Sequence, residues 1–261
     1  MTDYGYKIFD KPVNEYMPEA VEGILACADS YLKNSDRLIY SYGSKTFLSG
    51  YDLFDPEFES RGNIDCSTFV LLVLAGIPYE ESPYGTGRVQ PPHGEAPFWA
   101  EPDLIDFSKL PEKHIGIAQM IGRPYLEGPK GLDLKKAEEL GISVKVLAEE
   151  IRASGIERRS VTIAKYYLAK EACFSDASCI MPGDLVFFRT KGFFKEGDRI
   201  YKADAEINHV GIVAKDRSMM INSSGSHIKD GGGTSKVKTV SIDPLFGKRT
   251  LAFFARPGFS K

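Results

Sequence analysis

Between Met17 and Lys33 the apolar positions Ala20, Ile24, Leu25, Ala28 and Leu32 recur at helical spacing. That pattern predicts an amphipathic helix, with Cys27 and Tyr31 near its buried face. A second run, Phe69 to Ala75, is apolar on every side. A helix with no polar face is a buried one, so this segment is predicted to be the central helix of a domain. Asp65 is a favoured N-cap and Gly76 and Pro78 are plausible stops, which puts Cys66 at the first helical position, with Ser67 and Thr68 after it.

The last third alternates differently. Asp184–Arg189, Asn208–Ala214, Ser218–Ser223, Val237–Ile242 and Thr250–Ala255 read as five closely spaced strands of an antiparallel sheet, with Lys215–Arg217 as a hairpin turn. Residues 131–172 read as three helices, Leu132–Leu140, Val144–Ala153 and Ser160–Ala172. Residues 1–15 read as irregular. The stretch 79–130 is dense in Pro and Gly and carries the only tryptophan, Trp99. It is too aromatic for a disordered linker and too broken for a sheet, and excursions of that length are usually functional. The fold class is therefore α+β.

Composition narrows the field. A formal net charge of -3 offers no bulk attraction to nucleic acid or an acidic membrane, and no apolar run of 18 residues exists. The first residues show neither the apolar core nor the cleavage site of a secretory leader. Delivery by lysis, an intracellular role and a secreted form already trimmed all stay open. The four cysteines are too sparse for a disulfide framework, although Cys173 and Cys179 are close enough in sequence to pair. Their spacing, with no second Cys or His pair, is poor for zinc, so neither metal nor cofactor is expected.

One cysteine has a chemical setting. A thiol at the positive end of a buried helix has its thiolate favoured, although the adjacent Asp65 works the other way. Cys66 equally fits a small apolar core residue, so a partner decides. His209 begins one strand and Asn222 lies near the end of the next. A turn of two residues sets them directly opposite, a turn of four makes them diagonal neighbours on the same face, and an odd turn separates them. An Asn carbonyl accepting the ring N–H would fix the tautomer and aim the other nitrogen at a thiol.

Four words of the chain, in this order, resemble the NlpC-type, papain-like cysteine peptidases of bacterial cell walls. They are Asp65–Cys66–Ser67 before an apolar helix, Met181 to Phe188, Asn208 to Val213, and Met220 to Ser223. Tyr40 to Gly43 looks like the tyrosine-bearing segment that precedes the cysteine. The resemblance covers roughly residues 17–78 and 160–256. It implies a single papain-like domain over residues 1–261, its nucleophile helix packed on the antiparallel sheet, with residues 80–160 as a loop-rich and helical insertion. It further implies an endopeptidase that cuts after D-glutamate in peptidoglycan stem peptides or muropeptides. Cys66 would be the nucleophile, His209 the base and Asn222 its orienter. Tyr40 or Tyr42 would help hold oxyanion or substrate, and Asp65 and Ser67 would bind the peptide's amino end. Thr68 stands where the family has Gly, Asn222 where His is commoner, and the insertion puts the specific substrate in question. Alternatives are a thiol amidase or acyltransferase acting on another amide, and a non-catalytic binding module on the same fold.

Overall fold

The computed structural model describes residues 2–38, 40, 64–86, 97, 99–101, 132–133, 159–189, 193–196, 199–202, 207–225, 236–243, 245–246 and 249–259. The chain opens with a small hairpin, β1 (Thr2–Asp3) and β2 (Tyr6–Lys7). It turns through Tyr4 and Gly5, both at positive φ, where the glycine has no Cβ to clash. The expectation of an irregular start is corrected here: strands this short leave no periodicity to read.

Helix α1 (Pro18–Lys33) starts with proline in its first turn, where the missing N–H would have had no intrahelical partner. It buries Ala20, Ile24, Ala28 and Tyr31 along one stripe, as its spacing predicts. Helix α2 (Cys66–Leu74) is buried at every one of its nine residues. Its end is a Schellman motif: Ile77 N–H donates to Leu72 O (2.9 Å) and Gly76 N–H to Val73 O (3.1 Å), with Gly76 at φ +75°. A short helix α3 (Pro83–Thr86) follows.

Pro97, Trp99 and Glu101 fasten the next described segment onto the helices. Any Cβ at Gly76 would lie 2.6 Å from Pro97 Cγ, and one at Gly23 would overlap the Trp99 indole. Glu101 N–H donates to Leu74 O (2.8 Å) and its carboxylate accepts from the buried Tyr167 hydroxyl. Strand β3 (Leu132–Asp133) corrects a second expectation, since a helix was predicted from Leu132. Its two residues pair with Arg199–Lys202, the middle strand of a separate three-stranded sheet whose other edge is Phe193–Glu196. The predicted helix Val144–Ala153 lies outside the described residues.

Helix α4 (Arg159–Ala169) falls three residues short of the predicted Ala172. Glu171 turns to φ +56°, and Cys173–Phe174 leave as strand β4. Strands β5 (Leu185–Arg189), β6 (Phe193–Glu196), β7 (Arg199–Lys202), β8 (Ile207–Val213), β9 (Met219–Ser224), β10 (Lys236–Ser241), β11 (Leu245–Phe246) and β12 (Arg249–Ala255) complete the chain. The main sheet is open and antiparallel, in the order β10-β9-β8-β5-β12-β11, with β4 on the edge of β12 beside β11. The five predicted strands are β5, β8, β9, β10 and β12, so the architecture is α+β.

Alternation divides the sheet's side chains. Val210, Ile212, Ile221 and Phe187 join the core built with α1, α2 and α4, which runs from Ile8 to Ala255. Val186, Phe188, Met220 and Phe254 form a second cluster with Phe174 on the other face. A buried ion pair holds one end of the sheet. Arg256 Nε and Nη2 donate to the two oxygens of Asp184, each at 2.9 Å, and Nη2 also donates to Cys179 O. Burial pushes the Asp184 carboxyl up from its ordinary value, and Arg256 pulls it partly back.

Candidate active site

The first turn of α2 is built by Asp65. Its backbone is extended (φ -101°, ψ 176°), and its Oδ1 accepts the Thr68 N–H (2.8 Å), which no carbonyl inside the helix could reach. The same oxygen accepts from Ser67 Oγ (2.8 Å) and Thr68 Oγ1 (3.0 Å). Cys66, at the N1 position between these partners, is 8% exposed. The contribution of Thr68 was not visible in sequence. Where the resembling family has Gly, this chain has a hydroxyl that adds a donor to the cap. Asp65 and Ser67, both expected to meet substrate, are buried and hydrogen-bonded to one another.

The remaining cysteines differ. Cys173 and Cys179 are both free thiols, so the possible bridge is not formed. Cys27 sits in the core, and burial pushes the Cys27 and Cys173 thiols well above the ordinary thiol range. Cys179 is half-buried, 3.5 Å from Asp176 Oδ2.

On the sheet, β8 and β9 pair Ile212 with Ile221 and Val213 with Met220. Ala214 N–H then donates to Met219 O (2.8 Å), which closes a loop from Lys215 to Ser218. That is the even loop in which His209 and Asn222 are diagonal neighbours on one face. His209 Nε2 lies 3.1 Å from Asn222 Oδ1. Gly211 sits between them in register: a Cβ there would come within 3.3 Å of Asn222 Cβ and 2.9 Å of Met220 Sδ. The missing side chain is what lets the diagonal pair close.

The amide's orientation follows from its other end. Asn222 Nδ2 faces the carbonyl of Lys238 on β10 at 3.4 Å, so Oδ1 is the atom turned to the imidazole. A carbonyl oxygen can only accept, so Nε2 carries the proton and Nδ1 is the basic nitrogen of the neutral ring. His209 is 1% exposed, and its ring centroid is 6.1 Å from that of Phe188, directly across on β5.

The cysteine and the histidine pair come from distant parts of the chain. Helix α2 packs against both β8 and β9. Ser223, next to Asn222, donates from Oγ to Ile64 O at 2.8 Å, two residues before Cys66. This buried bond ties β9 to the chain entering α2, and sequence reasoning had passed over Ser223. Ser223 alternates with Asn222 along β9, so the side chains of His209 and Asn222 leave the sheet with Phe188 and Met220, on the face opposite the one that packs on α2 and Cys66. Tyr40 is half-buried, two residues beyond the core residue Leu38. Tyr42 lies outside the described residues.

Among the described residues no group of three or more His, Cys, Asp or Glu could hold a metal ion, and no helix is long and apolar enough to cross a membrane. No family model, no curated protein and no solved structure matches the chain.

Proposed function

We propose that the chain is a cysteine hydrolase of papain-like type, cleaving an amide bond in bacterial cell-wall stem peptides through a thioester. The observation that carries this reading is the buried His209–Asn222 pair, 3.1 Å apart and oriented from β10. A core histidine needs only some hydrogen bond. This one has its tautomer set so that Nδ1 is basic, which is one half of what general-base work on a thiol requires; the other half is an approach of Cys66 Sγ to a ring that leaves β8 on the face of Phe188. The second support is Cys66 at the N-terminus of a buried helix, where the free backbone N–H groups favour thiolate and oxyanion and the capping Asp65 carboxylate works against them.

In this mechanism His209 takes the thiol proton as Cys66 Sγ adds to the amide carbonyl carbon. The Cys66 backbone N–H, in the first turn of α2, is the natural donor to the developing oxyanion. Collapse breaks the C–N bond, and the imidazolium protonates the departing amine. His209 then deprotonates a water, which adds to the thioester and expels the thiolate. Asn222 keeps the ring in register throughout. The substrate class follows from the resemblance in the words around Cys66, Asp184, His209 and Asn222.

The deciding experiment is mass spectrometry of defined muropeptides incubated with the wild type and with Cys66→Ala. Cleavage after D-glutamate that vanishes in the variant supports the reading. Intact peptides alongside fast alkylation of Cys66 would move the same chemistry to another amide. Sluggish alkylation of Cys66 as well would sink the enzyme altogether.

A further inference from the structure

The start of β8 is held by side chains as well as by the sheet ladder. Pairing between β5 and β8 shifts from Phe188↔His209 to Arg189↔Ile207, which leaves Asn208 as the extra residue of a β-bulge. The bulge lies immediately before His209. The N-terminal hairpin straddles it. On the β5 side the Asp3 carboxylate pairs with the Arg189 guanidinium, and on the β8 side Ile207 N–H donates to the Tyr4 hydroxyl at 2.9 Å.

Two further elements grip Ile207 and the bulged Asn208. Ser160 Oγ of α4 donates to Ile207 O (3.1 Å), and Arg249 Nε of β12 donates to Asn208 Oδ1 (3.2 Å). Tyr4 is itself fixed, with its backbone at φ +48°, its N–H on Asp3 Oδ1 (3.1 Å) and the Lys165 ammonium 5.3 Å from its ring centroid.

We propose that Tyr4 and Asp3 are positioning residues for His209, a role that rests on the reading of His209 as the base. A one-residue slip in strand pairing exchanges the two faces of a sheet. Pairing with Phe188 sets the face of His209, and whatever locks the bulge at Asn208 guards that register at the end of β8 where His209 sits. The ladder pairs stop on either side of the bulge, at Phe188↔His209 and Arg189↔Ile207, and Asn208 itself is outside the ladder. The hairpin β1–β2 locks the bulge by holding one residue on each of its strands.

The test is imidazole nitrogen NMR on the full chain, with the His209 signals assigned from His209→Gln, beside the alkylation rate of Cys66. Tyr4→Phe removes one acceptor. It should populate the second His209 tautomer and slow Cys66 alkylation about tenfold, since small misplacements of a reacting group are costly. Asp3→Asn should act in the same direction to a smaller degree, and serves if Tyr4→Phe folds poorly. Tyr31→Phe is the structural control: it loses a buried bond to Ile77 O (2.8 Å) and should leave the His209 signals in place. Unmoved His209 signals in both hairpin variants, or an equal disturbance from Tyr31→Phe, would overturn the assignment. If His209→Gln leaves Cys66 alkylation at the wild-type rate, the catalytic reading falls, and the positioning role falls with it. That outcome is distinguishable from unmoved signals in the hairpin variants.

Discussion

The two halves of the candidate site are held in opposite ways. At Cys66 the cap reaches only three residues along the chain, from Asp65 to Ser67 and Thr68. At His209 the hydrogen-bond partner is on the next strand, its amide is aimed by a carbonyl on β10, and the preceding bulge is gripped from residue 4, residue 160 and residue 249. A nucleophile at a helix start can be specified locally, because one turn of backbone supplies both the geometry and the field. A base has no such local device, so its direction depends on the assembled sheet. The first half should tolerate disturbance elsewhere in the fold, and the second should not.

The sharpest test of that contrast is His209→Ala. It should lower hydrolysis by on the order of 10²–10⁴ while Cys66 keeps its cap, as judged by single-turnover kinetics. A rate near wild type would mean that the helix start suffices alone. Next is Arg256→Met, which strands the Asp184 charge beneath the sheet and should cost about 3–5 kcal/mol in urea unfolding. Asp184 also accepts the Val213 N–H through its backbone carbonyl (2.7 Å), so the damage lies at the turn end of the β8–β9 hairpin. The pH dependence has a definite sign. Burial raises the Asp184 carboxyl, and without Arg256 only the Met181 N–H, 2.8 Å from Oδ2, opposes that rise. Above the ordinary carboxylate range the folded variant then binds more protons than the unfolded chain, so stability falls as pH rises. The deficit of the variant should therefore narrow as pH is lowered towards that range, and a widening deficit would contradict the pairing.

Smaller effects follow on either side. Asn222→Ala should slow hydrolysis roughly tenfold to a hundredfold through loss of the fixed tautomer, with imidazole nitrogen shifts as the check. Asp65→Ala should cost about 1 kcal/mol in thermal unfolding, and Asp65→Asn only a few tenths, because asparagine caps nearly as well. A large loss in Asp65→Asn would show that the charge, and not the cap, is what the turn needs. The slightest effect is on labelling order. Iodoacetamide on the folded protein should reach Cys66 well before Cys27 or Cys173, whose thiols are pushed up by burial. Peptide mapping reads this directly.

This asymmetry also explains what could be read in the sequence. The limits of α2, its cap and its glycine stop were legible because each depends on residues a few positions apart. The strands β5, β8, β9, β10 and β12 were legible because apolar runs between turn residues are long enough to count. The His209–Asn222 diagonal needed only an even loop, and parity can be argued without coordinates. Leu132–Asp133 was misread because residues of a helical-looking stretch became a strand on meeting Arg199–Lys202. Tyr4 and Asp3 carried no signal at all, since their partners Ile207 and Arg189 are about two hundred residues away. Thr68 and Ser223 were hidden for a simpler reason: a hydroxyl in an apolar run does not announce what it bonds.

Trp99 has a practical use that none of its neighbours share. It is the protein's only tryptophan, and its indole lies against Gly23, where any side chain on α1 would collide with it. Emission excited beyond the tyrosine absorption band therefore comes from a single known seam, between the Trp99 segment and the first helix. A shift of that emission to longer wavelength under conditions that leave the far-ultraviolet dichroism intact would record the segment lifting away while the sheet holds. The protein carries its own optical gauge at the point where residues 97–101 meet the core.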